Sequence, residues 1–437
     1  MPFWALPAAP AVLAGACDWL GIDNVVLDLN LVSDASTDEW ARMVLEHDPD
    51  TVAFSVFTYQ NRPCAEALYL KLKQLNPSLF IVAGGSGIKN SINGEVLMQA
   101  DLVIDGDGEV AWPKFLCDRF GLTADLNFTP MSAPYVPSYR DYDINTYTYY
   151  ANKDNTRVWI PVSGSRGCIR KCTFCEIHEH WKFSQRTPDS ILSEIRNILD
   201  IIPDAYIHFT DSLVNGSLPV FEKLLDGLSE LKIQYPKFNW AGQFIIRRAN
   251  QSPEEYWKRI ANSGAALLEI GIETGSESMR IEMGKHFSND DLDHSLKFME
   301  KYNIKCALLF LIGYPTETLD DHQATLDLLE KYKHLANKVI YQVQGGHVMS
   351  MHPGTPVYNQ NLTNKNIIVS KNPNIWFNKT NPSLTYKERT RRRLEFSNTV
   401  QELGYTMSFD NHEAIDSIEE NSKNFAKIIE IVETKFI

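Results

Sequence analysis

No lysine, arginine or histidine occurs before Arg42. The apolar start from Phe3 to Cys17 therefore lacks the positively charged segment that opens a secretory signal. Leu13-Ala14-Gly15-Ala16-Cys17 has the look of a lipoprotein cleavage site, but its spacing is off by one. Pro7 and Pro10 also interrupt the run, and the segment reads as a buried helix. Nowhere does the chain hold the ~18 uninterrupted apolar residues of a membrane span. A cytoplasmic location with no membrane partner is the expectation. Positive charge is short throughout: 42 Lys and Arg face 55 Asp and Glu, a net −13. That balance repels phosphate backbones and sets nucleic acid aside as a partner. Neither an internal repeat nor a phosphate-binding glycine fingerprint is present. Cysteine is scarce and odd in number, with seven in 437 residues. Cys17, Cys64, Cys117 and Cys306 are scattered, as small buried hydrophobes are. The other three crowd into eight residues, which argues for a metal site in a reduced compartment rather than a disulfide framework.

What is present is the rhythm of two α/β series, in a chain long enough for two or three domains. Residues 24–30, 51–57, 79–83 and 102–104 read as buried parallel strands separated by amphipathic segments. This is a doubly wound, Rossmann-like domain over 1–120. It is truncated, because the chain enters almost directly into a helix around Ala8–Leu20 where a strand normally comes first. Residues 121–155, rich in Pro, Tyr, Asp and Asn, read as a linker draped over the surface. From 156 to 350 six strands are expected, at 157–162, 205–210, 238–245, 267–272, 306–312 and 339–343. Six β/α units make a partial (β/α)6 TIM-type barrel, with its chemistry at the C-terminal ends of the strands. The tail, 351–437, reads as mainly helical. Thr385-Tyr386-Lys387-Glu388 fits a capping box and Gly404 a stop, giving a helix over 386–403.

Cys168, Cys172 and Cys175 form a C-x3-C-x2-C run just after the first barrel strand. Thiolates are the soft ligands of an iron–sulfur cluster, and three on one loop leave the fourth iron of a cube open to a small molecule. Gly164 and Gly167 give this loop freedom to wrap a cluster. The spacing alone also admits zinc, with His178 or His180 as a fourth ligand, or no metal at all.

In its residues, Ser165-Arg166-Gly167-Cys168-Ile169-Arg170-Lys171-Cys172-Thr173-Phe174-Cys175 resembles the signature loop of the radical S-adenosylmethionine (radical SAM) superfamily. Phe209-Thr210-Asp211 with Asn215, Gly271-Ile272-Glu273-Thr274-Gly275-Ser276, and Leu311 through Thr318 resemble the family's later strand ends, in the expected order. The resemblance covers roughly 155–350. It implies a [4Fe–4S] cluster on the three cysteines, SAM chelating the open iron, and reductive cleavage to a 5′-deoxyadenosyl radical. By position it implies Glu273 accepting hydrogen bonds from SAM's ribose or amino group, and Arg247 or Arg248 pairing with its carboxylate. Phe174, Asp211 and Gly313 are further candidate SAM contacts. For Glu273 a loop cap, and for Gly313 a simple turn before Pro315, are the alternatives.

Residues 1–117 resemble the cobalamin-binding domain that precedes the barrel in one radical SAM subgroup. The matching stretches are Ala53–Thr58, Val82-Ala83-Gly84-Gly85-Ser86 and Asp105-Gly106-Asp107-Gly108-Glu109. They imply Ser55, Thr58, Gly84, Gly85, Gly106 and Gly108 as candidate cobalamin contacts. The D-x-H-x-x-G motif of some corrinoid proteins is absent. The resemblance therefore implies a radical SAM enzyme, with a cobalamin-dependent methyltransferase acting on an unactivated carbon as its first form. A cobalamin-independent radical enzyme is the alternative, and a zinc-stabilised scaffold the non-enzymatic one. The expected partners are a small-molecule or peptide substrate and a one-electron donor such as flavodoxin or ferredoxin. His352 reads as part of a turn, and Arg389, Arg391, Arg392 and Arg393 as a solvated helix face.

Overall fold

The computed structural model describes residues 5–58, 60–89, 95–153, 157–177, 182–364, 366–369 and 374–407. His178 and His180 lie outside these residues, as does the tail beyond 407. The chain opens in α1 (Ala8–Leu20), which buries Ala11, Ala14, Gly15, Ala16 and Cys17, as its composition leads one to expect. α2 (Thr37–Leu45) starts in a capping box between Ser36 and Glu39. Then come β1 (Thr51–Ser55), α3 (Arg62–Leu75), β2 (Phe80–Gly84), β3 (Leu102–Ile104) and α4 (Gly108–Phe120). The three strands pair in parallel, in the order β1-β2-β3. Strand alternation sends successive side chains to opposite faces. Ile81 packs with Val44, Leu68 and Leu72 of α2 and α3, whereas Val82 packs with Ala16, Trp112 and Leu116 of α1 and α4. Helices on both faces make the domain doubly wound.

Residues 24–30 do not join this sheet, contrary to their strand-like pattern. Leu29–Val32 coils into a 3-10 turn, and Val25 is 45% exposed. The linker takes the place of a strand neighbour. Val26 N–H donates to Asp141 Oδ2 (2.9 Å), Arg140 Nη2 donates to Asn24 O (2.7 Å), and Tyr147 donates to Asp28. With its backbone groups satisfied by side chains, the segment has no need of a ladder. The linker is correspondingly less superficial than its composition implies. It carries α5 (Ile144–Lys153), and Tyr139, Tyr142 and Tyr147 belong to the barrel's main core. Their hydroxyls stay satisfied: Tyr142 donates to Pro7 O (2.7 Å) and Tyr139 to Pro161 O (3.3 Å).

The barrel region begins with β4 (Trp159–Val162) and the short antiparallel pair β5 (Ser165–Arg166) and β6 (Ser184–Gln185). α6 (Pro188–Ile201) follows, with Thr187 as its cap and Ile191, Ile195, Ile198 and Leu199 buried at helical spacing. β7 (Tyr206–Phe209), α7 (Leu218–Gln234), β8 (Asn239–Phe244), α8 (Glu254–Asn262) and β9 (Ala265–Glu273) continue the alternation. After α9 (Glu277–Glu282) and α10 (Asn289–Lys301) come β10 (Lys305–Ile312), α11 (Leu319–Tyr332) and β11 (Ile340–Val348). All six expected strands form, and they pair in parallel in the sequential order β4-β7-β8-β9-β10-β11. At the open β4 edge Leu6 N–H donates to Trp159 O (3.0 Å), so the chain's beginning and the linker cover the side a closed barrel would pair.

The tail is not purely helical. Between α12 (Pro356–Asn364) and α13 (Tyr386–Glu402) lies an antiparallel pair, β12 (Ile367–Val369) with β13 (Trp376–Asn378). Thr385 caps α13, accepting from Glu388 N–H (3.1 Å). The capping box does not close through Glu388, whose carboxylate instead takes Arg391 and Arg392. The arginine run is not a solvated face either. Arg389, Arg392 and Arg393 are buried and Arg391 alone of the four is largely exposed. The reason is that α13 packs across β10 and β11. Arg389 lies 3.7 Å over the Trp376 ring and donates to Trp376 O and Leu384 O, while Arg392 meets Glu317 at 3.0 Å.

Candidate functional site

The cysteine loop leaves β4 through Gly164 and β5. Asp211, just past β7, is buried and both its oxygens are engaged. Oδ2 accepts from Gly164 N–H (2.8 Å) and Oδ1 from the Ser165 hydroxyl (2.5 Å). Burial pushes its carboxyl up to about 6, with those two hydrogen bonds pulling it back. Asp211, a candidate SAM contact from its position, thus spends its carboxylate on the root of the loop. Gly167, in the left-handed region (φ 76°), turns the chain into Cys168. Arg170 N–H then donates to Cys168 Sγ (3.3 Å), and Cys175 N–H to Cys172 O (3.1 Å). Thr173 pins the middle of the loop from three directions. Its N–H donates to Met283 O (3.1 Å), its carbonyl accepts from Val357 N–H (2.9 Å), and its hydroxyl meets Tyr314 OH (2.8 Å).

All three thiols are free, and each is close enough to influence another electrostatically. Burial raises all three, Cys172 to about 11, against the pull of Lys285. Such a pocket holds thiols until cationic metal supplies the charge that keeps thiolates in place. Among the described residues no three His, Cys, Asp or Glu side chains close around one point, as a single ion requires. An iron–sulfur cube asks for a wider arrangement, since each thiolate takes its own iron. The donor set, three soft ligands on one loop beside a buried cation, fits that group.

Glu273 ends β9 with φ at 67°, a left-handed conformation that costs a non-glycine residue roughly 1–3 kcal/mol. Its carboxylate pairs with Lys285 (2.7 Å), and Lys285 Nζ also donates to Gly271 O (3.0 Å). A Cβ on Gly271 would stand 2.4 Å from Glu273 Oε1 and 2.5 Å from Lys285 Nζ, so the glycine leaves room for the pair. Burial pulls the Lys285 ammonium down, but Glu273 and Cys172 outweigh it and hold it up. Lys285 also stands 5.9 Å from the Phe174 ring. Sequence reasoning missed this lysine, because only the short α9 and a turn at Gly284 (φ 80°) return it to the cysteine loop. Phe174 continues into a cavity of about 190 Å3 at the ends of β10 and β11, lined also by Leu311, Val348, Met349, Ser350 and His352. His352 itself is exposed, and its carbonyl holds the Thr355 turn.

The remaining candidates separate. Arg247 is half-buried, donates to Gly216 O (2.9 Å), and lies near enough to Arg170 to feel its charge. Arg248 is exposed, with Asp291 of α10 as its charged neighbour. Gly313 does not leave space for a ligand. Its φ is 83°, a Cβ would sit 2.6 Å from Arg389 Cδ, and its N–H donates to Glu317 (3.2 Å). In the N-terminal domain, Thr58 gives its hydroxyl to Asn61 (2.6 Å). Gly85 lies under the Val56 carbonyl, 2.5 Å from a would-be Cβ. Gly84 and Gly108 make ordinary contacts at 3.5 Å, whereas Ser55 and Gly106 are exposed, and Gly106 faces open space.

Residues 162–329 match the Radical SAM superfamily. The ribosomal protein uS12 methylthiotransferase RimO of Pseudothermotoga lettingae is 26% identical over 181 residues. That match spans 38% of this chain and only 40% of the relative's length. An uncharacterized methyltransferase of Pyrococcus horikoshii is 23% identical over 71% of this chain and 70% of its own. Among solved structures, the radical SAM methyltransferase TsrM of Kitasatospora setae, with cobalamin and a [4Fe–4S] cluster bound, has a TM-score of 0.61 at 14% identity. It covers 88% of this chain and 79% of that one. A second structure of TsrM, with tryptophan substrate and the SAM analogue aza-SAM, scores 0.60 over 96% and 97%. At such identity the likeness shows a shared fold.

Proposed function

This chain belongs to the radical SAM superfamily through residues 162–329, and on that premise we propose that it is a cobalamin-dependent methyltransferase acting on an unactivated carbon of a small molecule. Its cofactors as a radical SAM enzyme are a [4Fe–4S] cluster and SAM, and a one-electron donor of the flavodoxin or ferredoxin type would serve it. When bound, the cluster supplies the electron that cleaves SAM to a 5′-deoxyadenosyl radical, and cobalamin a methyl carrier. The chain's own residues hold and orient. Cys168, Cys172 and Cys175 would take three irons. Lys285 would donate to SAM's carboxylate and Glu273 would accept from its amino group or ribose, the two exchanging part of their mutual pairing for the ligand. Phe174, Leu311, Val348 and Met349 line an apolar wall that would shield the adenosyl group from water.

The observation that carries the cobalamin reading is the rim at the C-terminal ends of β1, β2 and β3, which no described residue covers at Ser55, Phe57 and Gly106. Doubly wound sheets bind ligands there. Here Ser55 and Gly106 are exposed, and Phe57 is 79% exposed beside them. One observation favours the alternative, a radical enzyme without cobalamin: Gly85 is occupied in packing under Val56. The discriminating experiment is cobalamin retention by the anaerobically reconstituted protein after desalting, read from corrinoid absorption. Stoichiometric retention is expected, and none would leave radical chemistry that needs SAM alone. Iron and acid-labile sulfide in the same sample check the cluster. Zinc without sulfide would overturn the reading at its root.

A further inference from the structure

Arg166 is the second residue of β5 and stands two residues before Cys168. Its guanidinium reaches out of the barrel. Nη1 meets Asp107 Oδ1 and Nη2 meets Glu109 Oε1, both at 2.5 Å. The two acids sit at the start of α4, in the N-terminal domain. Asp107 occupies the N-cap position of that helix, yet its side chain caps nothing. A carboxylate that could cap the helix is turned onto Arg166 instead. The turn is braced from behind, because Tyr135 of the linker donates to the Glu109 carbonyl.

On the barrel side Gly164, Ser165 and Arg166 are each held in place. Asp211 holds Gly164 and Ser165, Arg186 N–H donates to Gly164 O (2.9 Å), and Arg166 pairs with Ser184 across to β6. Arg166 therefore carries a contact of the N-terminal domain straight into the strand that delivers the first cluster cysteine. We propose that Arg166 is a positioning residue. Held by Asp107 and Glu109, it sets β5 and the entry to the cysteine loop, so that SAM binding at the cluster depends on the N-terminal domain. The inference rests on the radical SAM assignment but not on cobalamin. It gives the domain a role even where its rim is empty.

The test uses the full chain, reconstituted without corrinoid, in four variants: Arg166→Met, Arg166→Lys, Asp107→Asn with Glu109→Gln, and Arg166→Met joined to both acid changes. Two readouts are taken: the change SAM produces in the electron paramagnetic resonance signal of the reduced cluster, and the KM for SAM in cleavage. A displaced loop raises KM by about three- to fivefold and blunts the SAM-induced spectral change in both partial variants. Because the groups act as one unit, the combined variant is no worse than either alone, and Arg166→Lys recovers most of the loss. Multiplying effects, or an Arg166→Met protein with the wild-type spectral response and KM, would overturn the proposal. Should a variant fail to take up iron, hydrogen exchange of residues 164–175 in metal-free protein decides the matter. Faster exchange in both partial variants supports the latch, and unchanged exchange refutes it. Wild-type protein that fails to cleave SAM would sink the enzymatic reading instead, leaving this exchange result to stand separately.

Discussion

Arg166 and Arg392 each tie a neighbouring part of the chain to a loop that leaves a strand of the barrel, one beyond β4 and the other beyond β10. The Arg166 side chain is 26% exposed and its partners Asp107 and Glu109 are 48% and 22% exposed. Arg392 and Glu317 are 3% and 2% exposed. Arg392 also donates to Glu317 O (3.2 Å) and Thr318 O (3.0 Å), and Arg389 packs against Gly313 in the same turn. The buried fastening is committed, since removing one partner strands a desolvated charge at about 3–5 kcal/mol. Its solvent-facing counterpart gains only about 0–1 kcal/mol of stability and can be adjusted. The difference implies that α13 is a structural part of the barrel, while the Arg166 contact with the N-terminal domain is one that can tune the cysteine loop.

The largest expected effect falls on the loop that Arg166 enters. Cys172→Ala should abolish SAM cleavage, and deoxyadenosine produced by that variant at the wild-type rate would refute the ligand assignment. Next in size is the buried fastening. Glu317→Gln should lower unfolding stability by about 3 kcal/mol, the lower end of the range because Glu388 still meets Arg392 at 2.9 Å. Arg166→Met should cost under about 1 kcal/mol in the same denaturation experiment. Equal losses would erase the distinction between the two contacts.

The six barrel strands are legible because each is a short, largely apolar run set between amphipathic helical stretches, as 306–312 is, and the alternation itself points to parallel β/α units. Residues 24–30 carry the same signature and fail, since what they pair with is decided by Asp141, Arg140 and Tyr147 more than a hundred residues away. The cysteine loop is legible only where its spacing is joined to the resemblance of residues 165–175 to a known signature, since the spacing alone also admits zinc or no metal, and Lys285 is not legible at all. Its place depends on a six-residue helix and a glycine turn that periodicity does not encode. The arginines of α13 carry a signal of burial in their neighbours rather than in their own charge. Arg389, Arg392, Arg393, Phe396 and Val400 share one helical face, and the buried Phe396 and Val400 mark that face as inward. Charge does not mean exposure on this face, because aromatic stacking on Trp376 and carbonyl acceptors hold the Arg389 guanidinium inside.

A third prediction concerns Asp211, at the root of the cysteine loop. Its folded pKa is raised above the unfolded value of 3.8 to about 6. Protonation is therefore favoured by the folded state, and the group's contribution to stability declines as pH rises from about 4 through 6. Asp211→Asn can keep one acceptor for Gly164 N–H and offer its amide to Ser165, so it should fold. Its stability should vary less steeply over that window than the wild type's. A variant with the wild-type slope would assign the pH dependence elsewhere.

The smallest effect is the sharpest test of the comparison. Salt at about 1 M shortens the screening length to ~3 Å, which weakens exposed ion pairs and leaves buried ones nearly untouched. Raising sodium chloride from about 0.05 M to 1 M should therefore move the wild-type KM for SAM toward that of Arg166→Met, while the Arg166→Met value itself changes little. The stability gap between wild type and Glu317→Gln should stay constant over the same series. If that gap closed with salt, the Glu317–Arg392 pair would be behaving as a solvated one. If the wild-type KM were indifferent to salt while Arg166→Met was impaired, the arginine would act through packing of its stem rather than through Asp107 and Glu109.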